Sequence, residues 1–292
     1  MTPAVATLAP PVELRFECDG ITLAAQCWGN STDPMILALH GWLDNSESFA
    51  PLAQILVPMG YQLLALDWPG HGHSGHRGQG TDYHFLDNLY ELDQVMAQLP
   101  QSPYCLLGHS MGGILASLYA GVYPERVQRL ISIEAVGPLT SVAEETVERM
   151  RAGFASRRPR PRSRPLLLSS LIQARLQGSG LTPPLVEQLL RRNLHIEAPT
   201  EPVRWRSDPR LRRRSAWMMT EPQAHAIWSQ VAAPALFLLG EQGFPKLRDA
   251  WQQRQGWIPH ALKQLVPGAH HCHMTDPEPV AQAVHRFLGH ER

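Results

Sequence analysis

The 292-residue sequence predicts an α/β fold: one mostly parallel, eight-stranded sheet with helices on both faces, interrupted by an inserted helical cap. Three observations predict it. Short apolar runs alternate with helical stretches, the rhythm of parallel strands joined by crossover helices and buried on both faces. Two alternating runs at the start are joined by a hairpin dipeptide. The rhythm then stops after Pro138 and resumes only near residue 235.

The opening runs, Val12 to Cys18 and Ile21 to Trp28, flank Asp19-Gly20, a pair that accepts the positive φ angles of a tight hairpin turn. They predict an antiparallel edge. Met35 to Leu39 is the next strand and ends at His40-Gly41; Tyr61 to Leu66 follows and ends at Asp67. Tyr104 to Leu107 and Arg129 to Ile133 are two more, with helices expected over about 45–57, 82–99 and 112–122. Residues 138–220 are basic, punctuated by proline, helical in places and without a strand. Within them RRPRPRSRP (157–165) is barred from a regular helix interior, because each proline lacks an N–H and its ring strikes the preceding turn. Strands return at Ala235 to Leu239 and Leu262 to Val266, each followed by helical sequence. The organisation expected is a core of residues 1–137 and 221–292 with a cap of 138–220 inserted into it.

Composition narrows the function classes. Net charge is +0, so nothing draws the whole molecule to nucleic acid. The four cysteines (Cys18, Cys27, Cys105, Cys272) are far apart and read as buried thiols in a reducing compartment. The N-terminus lacks the basic start and apolar run of a signal peptide, and no apolar stretch approaches the roughly 18 residues of a membrane span. A cytoplasmic protein without a membrane partner is expected. Charge is nonetheless uneven. Residues 138–220 hold 16 arginines, no lysine and 7 acids, a net of +9, so the remainder carries −9. Seven arginines between 149 and 164 predict either a solvated loop or attraction of an anionic substrate; without interleaved aromatics they do not suggest nucleic acid.

Gly108-His109-Ser110-Met111-Gly112 is the most informative stretch. It reads G-x-S-x-G between an apolar strand and a helix-like run, the setting of a strand–turn–helix elbow that exposes the serine hydroxyl. Gly72-His73-Ser74 repeats three of those letters, but His76 stands where a small residue is needed. His40-Gly41-Trp42 precedes the elbow, as does Asp67-Trp-Pro-Gly-His-Gly-His-Ser74; Gly268-Ala-His270 follows the last strand.

With these motifs in this order, the chain resembles an α/β-hydrolase with a helical lid over residues 12–137 and 221–289. Its stretch HGWLDNSESFAPLA (40–53) is most similar to the serine hydrolase-like subgroup. The resemblance implies Ser110 as nucleophile and a late histidine as base; His270 fits the pattern completed by His273 and Pro277, with His271 as rival. The acid departs from the commonest pattern, since the usual aspartate position is Gly243. Glu134, ending Ile131-Ser-Ile-Glu134, is favoured over Glu241, because a carboxylate at a buried strand end needs a partner. Backbone N–H groups of Trp42 and Met111 would form the oxyanion hole, and His40, Gly41 and His109 would line the substrate pocket. Trp205, Trp217, Met218 and Met219 suggest an apolar face over the site. The reaction implied is acyl (ester-type) hydrolysis through an acyl-enzyme, with no metal or organic cofactor. Two alternatives stand beside it: a non-catalytic binding protein of the same fold, and a zinc hydrolase using His71, His73 and His76.

Overall fold

The computed structural model describes residues 8–158, 166–198 and 201–289. The main sheet contains eight strands: β1 (Val12–Cys18), β2 (Ile21–Trp28), β3 (Met35–Leu39), β4 (Gln62–Leu66), β5 (Cys105–His109), β6 (Leu130–Ile133), β7 (Ala235–Gly240) and β8 (Leu262–Val266). Their spatial order is β1-β2-β4-β3-β5-β6-β7-β8. β1 and β2 pair antiparallel, as do β2 and β4, and every other pairing is parallel. Asp19 and Gly20 both take positive φ (40° and 81°), the two-residue turn that the dipeptide predicts.

The central strands are apolar on both sides because both sides are covered. In β3, Met35, Leu37 and Leu39 join one core, while Ile36 and Ala38 join the other. On the first face lie α2 (Asp87–Gln98), α3 (Met111–Val122), α7 (Glu221–Trp228) and α8 (Pro245–Arg254), which contribute Leu92, Leu115, Trp228 and Trp251. The second face holds α1 (Ala50–Leu56) and α10 (Pro277–Gly289), through Leu52, Leu56, Val280 and Val284. Cys18, Cys105 and Cys272 are buried free thiols and Cys27 is half-buried. No helix among the described residues is long and apolar enough to cross a membrane.

Between β6 and α7 the chain forms α4 (Thr146–Ser156), α5 (Leu168–Leu176) and α6 (Pro183–Asn193), where the sequence predicts helix without strand. The structure adds one short antiparallel pair, Leu194–His195 with Arg204–Trp205, too brief to leave a periodic signal. Most of the proline-arginine run, residues 159–165, lies outside the described residues. α5 and α6 share an apolar cluster (Leu171, Val186, Leu189, Leu190) that also takes in Met274 of the core, on α9 (Cys272–Thr275). Met219 packs against the first core, and several other contacts are polar. Arg192 reaches Asp67 at 2.8 Å and Glu13 at 2.6 Å. The Asn193 side chain accepts from the Gly72 N–H and donates to the Leu43 carbonyl. Trp42 Nε1 donates to the Leu211 carbonyl at 3.0 Å.

The helix expected from residue 82 begins only at Asp87. Residues before it belong to the turn that carries Asp82, which pairs with Arg157 and Arg213.

Candidate active site

Two neighbouring parallel strands, β5 and β6, are each followed directly by a residue with positive φ. Ser110 sits at φ 50°, ψ −116°, and Glu134 at φ 52°. Side chains rarely adopt this region, and the surroundings hold them in it. The Ser110 N–H donates to the Ile133 carbonyl at 2.9 Å, and the Glu134 N–H to the Leu238 carbonyl at 2.8 Å, so each continues the sheet ladder by one step. The sharp reversal into α3 needs Gly112: a Cβ there would lie 1.9 Å from the Leu39 carbonyl oxygen. That contact also brings the end of β3, and hence the His40-Gly41-Trp42 loop, against the start of α3. Among the described residues neither the Met111 nor the Trp42 backbone N–H has a hydrogen-bond partner. Met111 opens a helix, whose first N–H groups are unsatisfied by its own carbonyls.

His270 follows β8 and the turn through Gly268 (φ 96°). Its Nδ1 lies 3.2 Å from Glu134 Oε2, and the other carboxylate oxygen of Glu134 accepts the Gly240 N–H at 2.7 Å. Glu134 is 2% exposed. The pairing has room because residue 243 is glycine. A Cβ at Gly243 would stand 2.2 Å from Glu134 Oε1 and 2.6 Å from Oε2, so the carboxylate occupies the volume a side chain there would fill. Glu241 instead points to solvent, its N–H paired with the Val266 carbonyl in the continuing ladder.

His271 is engaged elsewhere, its Nε2 lying 3.3 Å from Asp44 Oδ2. Asp44 also holds Arg175 of α5 at 2.5 Å. Burial opposes its ionisation, but His271, Arg175 and the nearby His40 outweigh it and hold the Asp44 carboxyl well below the usual range. Asp44 lies within the stretch 40–53, which by itself assigns it no partner; its pairing with Arg175 arises only when α5 folds over the loop after Trp42.

Two residues expected to line the pocket are placed beneath it. His109 is fully buried, and its Nε2 donates to the His270 carbonyl at 2.8 Å, bracing the loop that carries His270. His40 is also fully buried: Nδ1 donates to the Gly41 carbonyl and Nε2 accepts from the Trp68 N–H. Gly41 is buried against His109, whose Nδ1 would lie 3.0 Å from a Cβ at 41. Burial pushes His40 down to about 4 and, together with neighbouring imidazoles, holds His109 well below its ordinary value. Residues that flank a motif need not share its face: His109, the last residue of β5, and His40, in the loop after β3, both turn their rings into the interior.

The three histidines of the zinc alternative turn to different partners. His71 donates to the Pro69 carbonyl and accepts from the Leu43 N–H, His73 faces Glu13 at 3.8 Å, and His76 faces Asp208 and the Arg206 carbonyl. Among the described residues no group of three metal-ligating side chains converges. The Ser74 hydroxyl is likewise occupied, donating to the Asp67 carbonyl and accepting the Ala24 N–H.

A strand–serine–helix elbow, a glutamate-paired histidine and an eight-stranded sheet of this order define the class. Residues 34–277 match the family model for the alpha/beta hydrolase fold, and the chain belongs to that family. Within it the chain falls in the serine hydrolase-like branch. It is 30% identical to a serine hydrolase-like protein of Dictyostelium discoideum, over 94% of this chain and 80% of that protein. A hypothetical protein from Pseudomonas aeruginosa PAO1 superposes with a TM-score of 0.82 at 33% identity, covering 97% of this chain and 99% of that one. The thioesterase domain from the curacin biosynthetic pathway gives 0.81 at 25% identity, covering 94% and 99%.

Proposed function

We propose that the chain hydrolyses carboxylic esters through Ser110, His270 and Glu134, beneath a cap formed by residues 138–220. The observation that carries this reading is the Glu134 carboxylate. It is buried, bonded to His270 Nδ1, and seated in the space that Gly243 leaves open. A serine hydroxyl is a weak nucleophile without a base beside it. Glu134 fixes the His270 tautomer with its proton on Nδ1, leaving Nε2 to take the Ser110 proton as Oγ attacks the acyl carbonyl. Glu134 then stabilises the imidazolium. Negative charge on the tetrahedral intermediate falls to the unpartnered N–H groups of Met111 and Trp42, an interaction worth about 3 kcal/mol per donor. His270 returns the proton to the leaving alcohol and afterwards activates water against the acyl-enzyme. The similar curacin domain is a thioesterase, which supports acyl transfer as the chemistry.

The test is covalent labelling of the folded protein by a fluorophosphonate, read by mass spectrometry, beside hydrolysis of p-nitrophenyl butyrate. Label on Ser110, abolished in Ser110→Ala and His270→Ala and slowed in Glu134→Gln, is the expected result. A folded protein that neither labels nor turns over the ester is a hydrolase-fold binding protein instead.

A further inference from the structure

A cavity of about 460 Å³ opens beside the elbow, between the chain entering α2, the exposed flank of α3, the strand-end loop leaving β6, and the cap segment returning through Ser215 to Met219. Ile114 on its wall donates its N–H to the Ser110 carbonyl at 3.0 Å, one helical turn from the nucleophile. Phe85, Leu86, Leu139, Trp217 and Met218 make the rest of the surface overwhelmingly apolar. The volume falls within the range of small-molecule sites, which are mostly apolar and lie where two layers meet.

We infer that this cavity binds the acyl chain of the substrate, and that the chain is uncharged, apolar and of medium length. The inference rests on the ester-hydrolase reading and adds the substrate class to it. Charge decides between this and an anionic acyl group. None of the residues lining the cavity is a lysine or arginine, and its one acid, Asp87, has only Arg77 near it at 3.5 Å. Several of the cap's described arginines are already committed to acids elsewhere. Arg157 and Arg213 are paired with Asp82, Arg149 with Glu145, Arg175 with Asp44, and Arg210 with Asp208. A carboxylate entering the cavity would lose its hydration and meet no lysine or arginine on its walls, only the imidazole of the exposed His84 at its edge. The mouth is apolar as well: Leu139 is 71% exposed and Trp217 56%. Met218 and Met219 add unbranched side chains that adapt to differently shaped chains.

The experiment is kcat/KM for p-nitrophenyl acetate, butyrate, hexanoate and octanoate, beside an ester whose acyl chain ends in a carboxylate. Transfer of one methylene from water into an apolar site corresponds to about a fourfold gain. The expected series therefore climbs about fourfold per methylene and levels once the cavity is full, with the carboxylate-ended ester at least tenfold below its uncharged counterpart. Leu139→Trp, at an exposed position, narrows the mouth and should cut the hexanoate-to-acetate ratio at least tenfold while fluorophosphonate still labels Ser110. A flat series, a preference for the carboxylate, or an unchanged ratio in Leu139→Trp overturns the inference even with Ser110 labelling intact. Loss of labelling in the wild-type chain refutes the ester-hydrolase reading itself.

Discussion

Replacing Gly243 by alanine adds one methyl group and should disable the site. The new Cβ would stand 2.2 Å from Glu134 Oε1, whereas ordinary contact begins at 3.4 Å, so the carboxylate must withdraw by more than an ångström. It cannot do so without losing the Gly240 N–H at 2.7 Å or the His270 Nδ1 at 3.2 Å. Deleting the acid of a Ser-His-acid triad costs about 10⁴ in kcat, equivalent to roughly 5 kcal/mol of barrier. Gly243→Ala should therefore lower kcat by about 10²- to 10⁴-fold with little change in KM. Glu134→Ala should do the same, and the double variant should be no worse than either, because both act on one contact. Gly243→Asp in the Glu134→Ala background supplies a carboxylate to the vacated volume and should recover part of the loss. The assay is initial-rate hydrolysis of p-nitrophenyl butyrate together with the rate of fluorophosphonate labelling. Should Gly243→Ala keep more than a third of wild-type kcat while Glu134→Ala loses it, the packing argument is wrong.

Three further outcomes follow from contacts around the site. Arg192→Met leaves Asp67 buried without its cation, although the Ser46 and His73 N–H bonds remain; urea unfolding should show a loss of about 3 kcal/mol, and a loss under 1 kcal/mol would count against it. Asp44→Asn removes the charge that holds His271 and Arg175. It should slow Ser110 labelling about tenfold by loosening the loop that carries His270, and an unchanged rate would show that the buried pair does not position the base. Acid should unfold the protein early: His40 and His71 titrate near 6.5 in the unfolded chain but at about 4 and about 3 when buried. Below pH 6.5 the unfolded chain takes up protons that the fold refuses, so stability is full above that pH and falls as the pH approaches 4. At pH 5 the two together cost about 4 kcal/mol, and urea midpoints that match at pH 7.5 and pH 5 would refute the assignment.

The sheet and the elbow were legible because their signals are local. An apolar run, a glycine two residues either side of a serine, and an Asp-Gly turn each report on the few bonds around them. Glu134 could be singled out for a related reason, a carboxylate at a buried strand end needing a partner. What the sequence did not reveal depends on contacts made across the chain. His40 and His109 were expected in the pocket, yet their rings lie beneath it, bonded to backbone more than a residue-level pattern can specify. Asp44 gains its importance from Arg175, 131 residues away. The arginine-rich stretch reads either as a solvated loop or as a field for anions, and counting charge along it cannot show that Arg157 pairs with Asp82 of the core. Arg160, Arg162 and Arg164 of that stretch lie outside the described residues.

Ser110 and Glu134 each extend the hydrogen-bond ladder one step past the end of adjacent strands, with His109 opposite Ile133 in register. A slip of one residue between β5 and β6 would carry the serine and the glutamate out of step and turn alternate side chains to the wrong core. Fluorophosphonate labelling of Ser110, if the site acts as proposed, would therefore be a chemical report on strand registration. During refolding, compact chains with misaligned β5 and β6 would have normal sheet content but would not take up a fluorophosphonate, so labelling would time the moment when these central strands lock.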